Sequence, residues 1–200
     1  MAMRKLLVAT GNSHKTEEIR AMLGDGYEVE DLKSYPELPD VDETGVTFLE
    51  NATLKAVEIS KQVEGMVLSD DSGLEVDALD GAPGVYSARY AGVHGDDAGN
   101  NAKLLNELVG VADRSARFRC VMVLAREGEA LAHFDGAVEG KIISEQQGAG
   151  GFGYDPLFVP DGYEETFAEL GEDVKNGLSH RARAMAQVVG WLSAEESGVE

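Results

Sequence analysis

An apolar run from Arg4 to Ala9 stops at Thr10-Gly11-Asn12-Ser13, and an amphipathic stretch from His14 to Leu23, carrying Ile19, Met22 and Leu23, follows at once. A strand delivered through a short loop into a helix commits a chain to packing helices on a sheet, an α/β arrangement. Tyr27 to Leu32 alternates like a second strand, and residues 34–45, with Pro36, Pro39 and several acids, read as a loop. Thr47-Phe48-Leu49-Glu50 has capping-box spacing, and Leu49, Ala52, Ala56, Ile59 and Val63 recur at helical steps, predicting a helix over about 48–64. Met66 to Ser69 is a short apolar strand that runs into Asp70-Asp71-Ser72-Gly73. Residues 81–99, rich in glycine and carrying Tyr86 and Tyr90, predict a long ordered loop with a functional role. A helix over Asn100 to Val109 follows, then strands over Arg117 to Ala125 and Ala130 to Ile143, joined at Arg126-Glu127-Gly128-Glu129. Leu178, Ala182, Met185, Val189 and Leu192 form one stripe of a closing helix over Ser179 to Leu192, and the acidic residues from about 194 to 200 predict a frayed tail.

The chain has 200 residues, 43% of them hydrophobic, enough for one globular domain with a substantial core, and no repeat or linker divides it. Its 17 Lys plus Arg against 37 Asp plus Glu give a net charge of −20, which repels nucleic-acid polymers and anionic lipid surfaces. No stretch approaches the ~20 apolar residues of a membrane span, and the apolar start is too short for a signal peptide, so a cytoplasmic location is expected. Cys120, the single cysteine, lies in the apolar run Phe118 to Leu124 and reads as a small buried hydrophobe.

In so acidic a chain the cations are informative. His14 and Lys15 fall in the first turn of the opening helix, and Lys175, His180 and Arg181 stand before or within the first turn of the last one. Positive charge there opposes the helix dipole, so two helix starts with free N–H groups and adjacent cations suggest anion sites. Among the acids, Asp70 and Asp71 sit where a strand ends, with Glu43 and Glu50 upstream. Carboxylates beside a phosphate site suit Mg²⁺, and adjacent strand residues face opposite ways, so the two aspartates are expected to do different jobs. Glu50 is explained by its capping box, whereas Asn51 and Lys55 lie together at the margin of their helix's apolar stripe.

Gly148 to Pro156 contains a match to the dinucleotide pattern at Gly148, Gly150 and Gly153, but Pro156 blocks a helix there. What remains is a glycine hinge bearing Phe152, Tyr154 and Asp155, which could grip a purine by stacking and a carboxylate acceptor, or simply fill a core. The four histidines lie in unlike contexts and Ser72 has no evident base, so attack by an activated water is the simpler chemistry.

Six segments in order, Leu7 to Lys15, Glu43 to Ala56, Asp70 to Leu74, Gly81 to Tyr90, Gly151 to Pro156 and Ser179 to Arg181, closely resemble the inosine/xanthosine triphosphate pyrophosphatase family. The resemblance runs from residue 4 to about 192. It implies a long central mixed β-sheet flanked by helices in two lobes of a single domain, with the active site in the cleft. It implies Mg²⁺-dependent hydrolysis of non-standard purine nucleoside triphosphates (ITP, dITP, XTP) to monophosphate and pyrophosphate, by a homodimer that cleans the nucleotide pool. Carried over to this chain, Thr10, Gly11, Asn12, Ser13, His14 and Lys15 would hold the phosphates, with Lys55 and Ser72 as further substrate contacts. Asp71 would be general base and metal ligand, and Glu43 a second ligand. Phe152, Gly153, Tyr154 and Asp155 would clasp the base, with Lys175, His180 and Arg181 also reaching it rather than the phosphates. Two rivals are a pyrophosphatase of standard or modified pyrimidine nucleotides, which would not need the purine-gripping residues, and a non-catalytic nucleotide-binding module, which would not need the acids at 43, 70 and 71.

Overall fold

A computed structural model describes residues 4–197 of the chain. Six strands, β1 (Arg4–Val8), β2 (Tyr27–Asp31), β3 (Met66–Val76), β4 (Ser115–Arg126), β5 (Glu129–Ile142) and β6 (Phe158–Pro160), form one sheet in the order β2-β1-β3-β4-β5-β6. The helices are α1 (Ser13–Leu23), α2 (Phe48–Ser60), α3 (Asp97–Glu107), α4 (Phe167–Leu170), α5 (Glu172–Leu178) and α6 (His180–Ser197). β1 runs parallel to β2, with Leu6 opposite Val29, and parallel to β3, with Leu7 opposite Val67. β6 runs antiparallel to β5, so the sheet is mixed, as expected of this α/β chain.

The described chain sorts into two compact units. The first holds residues through Asp71, Cys120–Gly136 and the chain from Arg181; the second holds Ser72–Arg119 and Ala137–His180. Within the first, β1 is apolar from Leu6 onward, where both its faces are covered. Leu6 and Val8 join a cluster with Ile19, Leu68, Met122, Leu124, Met185 and Leu192, while Leu7 and Ala9 pack with Ile59 and Val67. Within the second, Leu74, Val76, Leu104, Leu108, Phe118, Val138, Phe158 and Phe167 form the core.

The capping box of α2 is complete: Thr47 Oγ1 accepts from Glu50 N at 3.1 Å, and Glu50 Oε2 accepts from Thr47 N at 3.2 Å. That helix ends at Ser60 rather than near 64, and its buried stripe begins at Phe48, leaving Leu49 40% exposed. β3 does not stop at Ser69 but continues through both aspartates to Val76. The segment 81–99 is less of a loop than its glycines predict, holding a 3₁₀ turn over Gly84–Arg89 and the start of α3 at Asp97, capped by Asp96. The stripe of α6 is rotated from the expected one. Arg181, Ala184, Met185, Val188 and Leu192 are buried while Val189 is 37% exposed, because the helix turns to bury Arg181. The helix also runs on to Ser197 where a frayed tail was expected, residues 198–200 of that tail lying outside the described residues.

Candidate active site

In the first unit, β1 hands over to α1 through a loop that orders its own backbone. Thr10 Oγ1 accepts from Asn12 N at 3.1 Å, and the Asn12 side chain caps the helix by accepting from His14 N at 3.0 Å. The first turn of α1 contains no acid, so no carboxylate of that turn neutralises the positive end of the helix dipole. Lys15 reaches from this turn to β3, where its Nζ lies 2.5 Å from Asp70 Oδ1.

Asp70 and Asp71 face opposite ways, as strand geometry requires, and live in different surroundings. Asp70 is fully buried; besides Lys15 it accepts from Arg181 Nε at 2.8 Å and from Cys120 Sγ at 3.1 Å. Burial alone would raise the pKa of Asp70, but the charges of Arg181 and Lys15 outweigh it and hold the carboxyl well below its usual range. Arg181 also donates from Nη1 to Glu18, completing a buried network of α1, β3 and α6. The Cys120 thiol is pushed far up by burial and by Asp70, so it is an inert member of the core.

Asp71 is the contrasting case. Its Oδ2 is buried with no hydrogen-bond partner among the described residues, and Oδ1 lies 3.8 Å from Lys55 Nζ. Burial pushes Asp71 up to about 6, with Glu43 adding to the rise and Lys55 and Lys15 opposing it. Lys55 Nζ donates to Glu43 Oε1 at 2.7 Å and to the Asp70 carbonyl at 2.9 Å, and with its 3.8 Å contact to Asp71 one ammonium pairs with both carboxylates expected to act on metal. Burial would lower the pKa of Lys55, but Asp71 and Glu43 raise it and keep the ammonium charged. Gly45 fixes the approach of Glu43: its N–H donates to Asn51 Oδ1 at 2.8 Å, and a Cβ there would come within 2.6 Å of Glu50 Cβ.

The residues fit Mg²⁺. Asp71 presents an unpartnered buried oxygen, Glu43 a half-exposed one, and among the described residues no cluster of three or more acids, histidines or cysteines would form a protein-only cage. Mg²⁺ is commonly held by one or two carboxylates together with substrate phosphates and water.

In the second unit, Asp155 and Lys175 form a buried ion pair at 2.6 Å, and Asp155 Oδ2 also accepts from Phe152 N at 2.9 Å. Lys175 Nζ stands 4.5 Å from the centroid of the Phe152 ring, a cation over an aromatic face. The close turn requires glycine at 151, where φ is +71° and a Cβ would come within 2.2 Å of Asp155 Oδ2. Gly153 is tied at both ends, its N–H to Asp97 Oδ2 at 2.8 Å and its carbonyl to Asn101 Nδ2 at 2.9 Å. Tyr154 belongs to the core, with its hydroxyl donating to the Ser87 carbonyl at 2.8 Å. His180 stacks on Phe118 with centroids 4.9 Å apart. Ser72 is half-buried in β3.

The structure therefore brings Lys15, Glu43, Lys55, Asp70, Asp71 and Arg181 together in one unit, and Phe152, Asp155 and Lys175 in the other. Arg181, expected with Lys175 and His180 on a base, has its guanidinium buried on Asp70 and Glu18. Sequence reasoning missed Glu18, although it lies one helical turn from Lys15 on α1. It also missed the supporting roles of Asp97 and Asn101.

Residues 6–191 match the Ham1 family. The chain belongs to that family. Among relatives of this Ham1 chain, a dITP/XTP pyrophosphatase of Halalkalibacterium halodurans is 48% identical over 193 residues, covering 95% of this chain and 100% of the relative. One of the same name from an Exiguobacterium species is 50% identical over 185 residues, covering 92% and 94%. The solved Ham1 protein of Staphylococcus aureus superposes with a TM-score of 0.86 at 39% identity, covering 96% of this chain and all of that one. A nucleoside-triphosphatase/dITP/XTP pyrophosphatase of Mycobacterium abscessus gives 0.74 at 44% identity, covering 92% and 98%. The Ham1 match reaches into both units and includes every candidate site residue named above.

Proposed function

We propose that this Ham1 chain hydrolyses dITP, ITP and XTP to the monophosphate and pyrophosphate. The observation that carries the chemistry is Asp71: a buried carboxylate with one oxygen unpartnered among the described residues, pushed up to about 6, beside a lysine bonded to a second carboxylate. A base of that pKa is ionised at neutral pH yet basic enough to take a proton in the transition state.

Thr10 to Lys15 hold the triphosphate, through the N–H groups at the start of α1 and the ammonium of Lys15. Asp71 orients a water toward the α-phosphorus and receives its proton as the new P–O bond forms and the bond to the pyrophosphate oxygen breaks. Lys55 holds Asp71 and Glu43 in place, and Ser72 contacts the substrate. Glu43 and Asp71 would hold Mg²⁺, which when bound supplies charge neutralisation for the departing pyrophosphate.

Base choice falls to the second unit. Hypoxanthine and xanthine present a keto acceptor at C6 and a donor at N1, and adenine presents the reverse. Asp155 accepts from the ring N–H, Lys175 and His180 face the keto oxygen, and Phe152 and Gly153 shape the turn, with Tyr154 supporting it from the core. Adenine would leave these buried groups unpaired, a mismatch that can reach 10⁴–10⁵ in discrimination. Arg181 enters the reaction by holding Asp70.

The enzyme acts as a homodimer in the cytoplasm and keeps these nucleotides out of DNA and RNA; this rests on the family resemblance. No helix among the described residues is long and apolar enough to cross a membrane. Hydrolysis of ITP in ¹⁸O-water tests the step: the label is expected in the monophosphate, and label in pyrophosphate would refute attack at the α-phosphorus.

A further inference from the structure

The cations of the first unit's site are closely countered. Lys15 lies on Asp70, Lys55 on Glu43 and Asp71, and Arg181 on Asp70 and Glu18. Three positive groups thus face four carboxylates, an unpromising environment for a polyanion in a chain of net charge −20.

Lys33 is different. It lies in the 3₁₀ turn Leu32–Ser34, and its Nζ donates to Ser13 Oγ, the hydroxyl of the first residue of α1. Among the described residues no carboxylate pairs with that ammonium. Its placement is built rather than incidental. Leu32 N donates to the Thr10 carbonyl at 3.2 Å, Asp31 Oδ1 accepts from Lys33 N at 3.1 Å, and Asp31 Oδ2 accepts from Thr16 Oγ1 at 3.0 Å. Two elements remote in sequence are thereby locked together, with an uncountered ammonium set at the start of α1.

We propose that Lys33 is a further phosphate-binding residue, supplying the positive charge that the paired lysines cannot give in full and contacting the outer phosphates of the triphosphate. This rests on the assignment of Thr10 to Lys15 to the phosphates. Ser13 Oγ is the present acceptor of the Lys33 ammonium; a phosphate oxygen, as a charged acceptor, makes the stronger bond.

The test uses Lys33→Ala, Lys33→Glu and Lys33→Arg, all at an exposed position where folding is not at stake. Three readouts are taken at two salt concentrations: ITP turnover with pyrophosphate detection, and binding of inorganic tripolyphosphate and of IMP by calorimetry. The expected result for Lys33→Ala is a KM for ITP raised roughly three- to tenfold with kcat little changed, and a matching loss of tripolyphosphate affinity. Lys33→Glu should be worse, Lys33→Arg should restore most of the loss, and the salt dependence of KM should flatten in Lys33→Ala. KM and tripolyphosphate affinity unchanged in both Lys33→Ala and Lys33→Glu would overturn the proposal. So would an equal loss of IMP affinity, which would move Lys33 away from the outer phosphates. A wild type that binds tripolyphosphate but releases no pyrophosphate would overturn the proposed reaction while leaving the Lys33 comparison readable by binding; a wild type that binds neither would overturn both.

Discussion

Replacing Asp70 with asparagine removes the carboxylate that Lys15 and Arg181 share while keeping its volume. The side chain of Asp70 is 0% exposed, that of Arg181 1% and that of Lys15 15%, so neither cation can turn fully to water when its partner goes. Breaking a buried ion pair from one side costs about 3–5 kcal/mol, because the remaining charge stays buried without compensation. For a domain of this size each kcal/mol moves Tm by about 2–4 °C, so Asp70→Asn should melt roughly 6–20 °C below wild type at pH 7. The sign with pH follows from the depressed pKa. A carboxyl held below its unfolded value stabilises the fold above that value, about 4, and the contribution is lost as pH falls through the folded value. Wild type should therefore lose Tm on acidification below pH about 4 by more than Asp70→Asn does. Circular-dichroism melts from pH 7 to pH 3 measure both effects. Glu18→Gln, at the edge of the network with its side chain 12% exposed, should cost less. A Tm of Asp70→Asn within about 2 °C of wild type would show instead that the network contributes little to stability.

Asp71→Asn should bind ITP with near wild-type affinity while kcat falls about 10²–10⁴-fold, measured by calorimetry and pyrophosphate release. In wild type kcat/KM should rise through about pH 6 as Asp71 ionises, the acid form being inactive, and a rate flat from pH 5 to 8 would contradict this. Lys55→Met removes the charge that lowers the pKa of Asp71, so the acidic limb of the pH profile should move to higher pH. Gly151→Ala forces a Cβ against Asp155 Oδ2 at a φ of +71°, so it should raise KM for ITP more than it changes binding of tripolyphosphate.

The parts of this molecule written in local patterns are legible in the amino-acid sequence. The apolar run of β1, the cap of α2, the buried fate of Cys120 and the failure of the Gly148-to-Gly153 pattern to open a helix all follow from neighbouring residues. What stays hidden depends on distant partners. β3 reads as ending at Ser69 in sequence because two aspartates look like a turn; it continues because Arg181, 111 residues after Asp70, and Lys15 neutralise the first of them inside the core. The rotation of α6 has the same origin, since a buried arginine does not register in a stripe of apolar residues. β6, α4 and α5 are too short to leave a periodic signal, and the last two are separated only by Gly171 at a φ of +79°. Asp71 stands out in the sequence as a candidate site residue, from its strand-end setting and the family resemblance. Its raised pKa does not, because burial sets that value and burial comes from the fold.

The most direct test of the central assignment is initial-rate hydrolysis of ITP, XTP, ATP and GTP by the purified protein, with and without Mg²⁺, measuring pyrophosphate and orthophosphate separately. Pyrophosphate is expected from ITP and XTP, little from ATP or GTP, and none under chelation. Orthophosphate as the first product, or equal rates on ATP and ITP, would contradict that assignment.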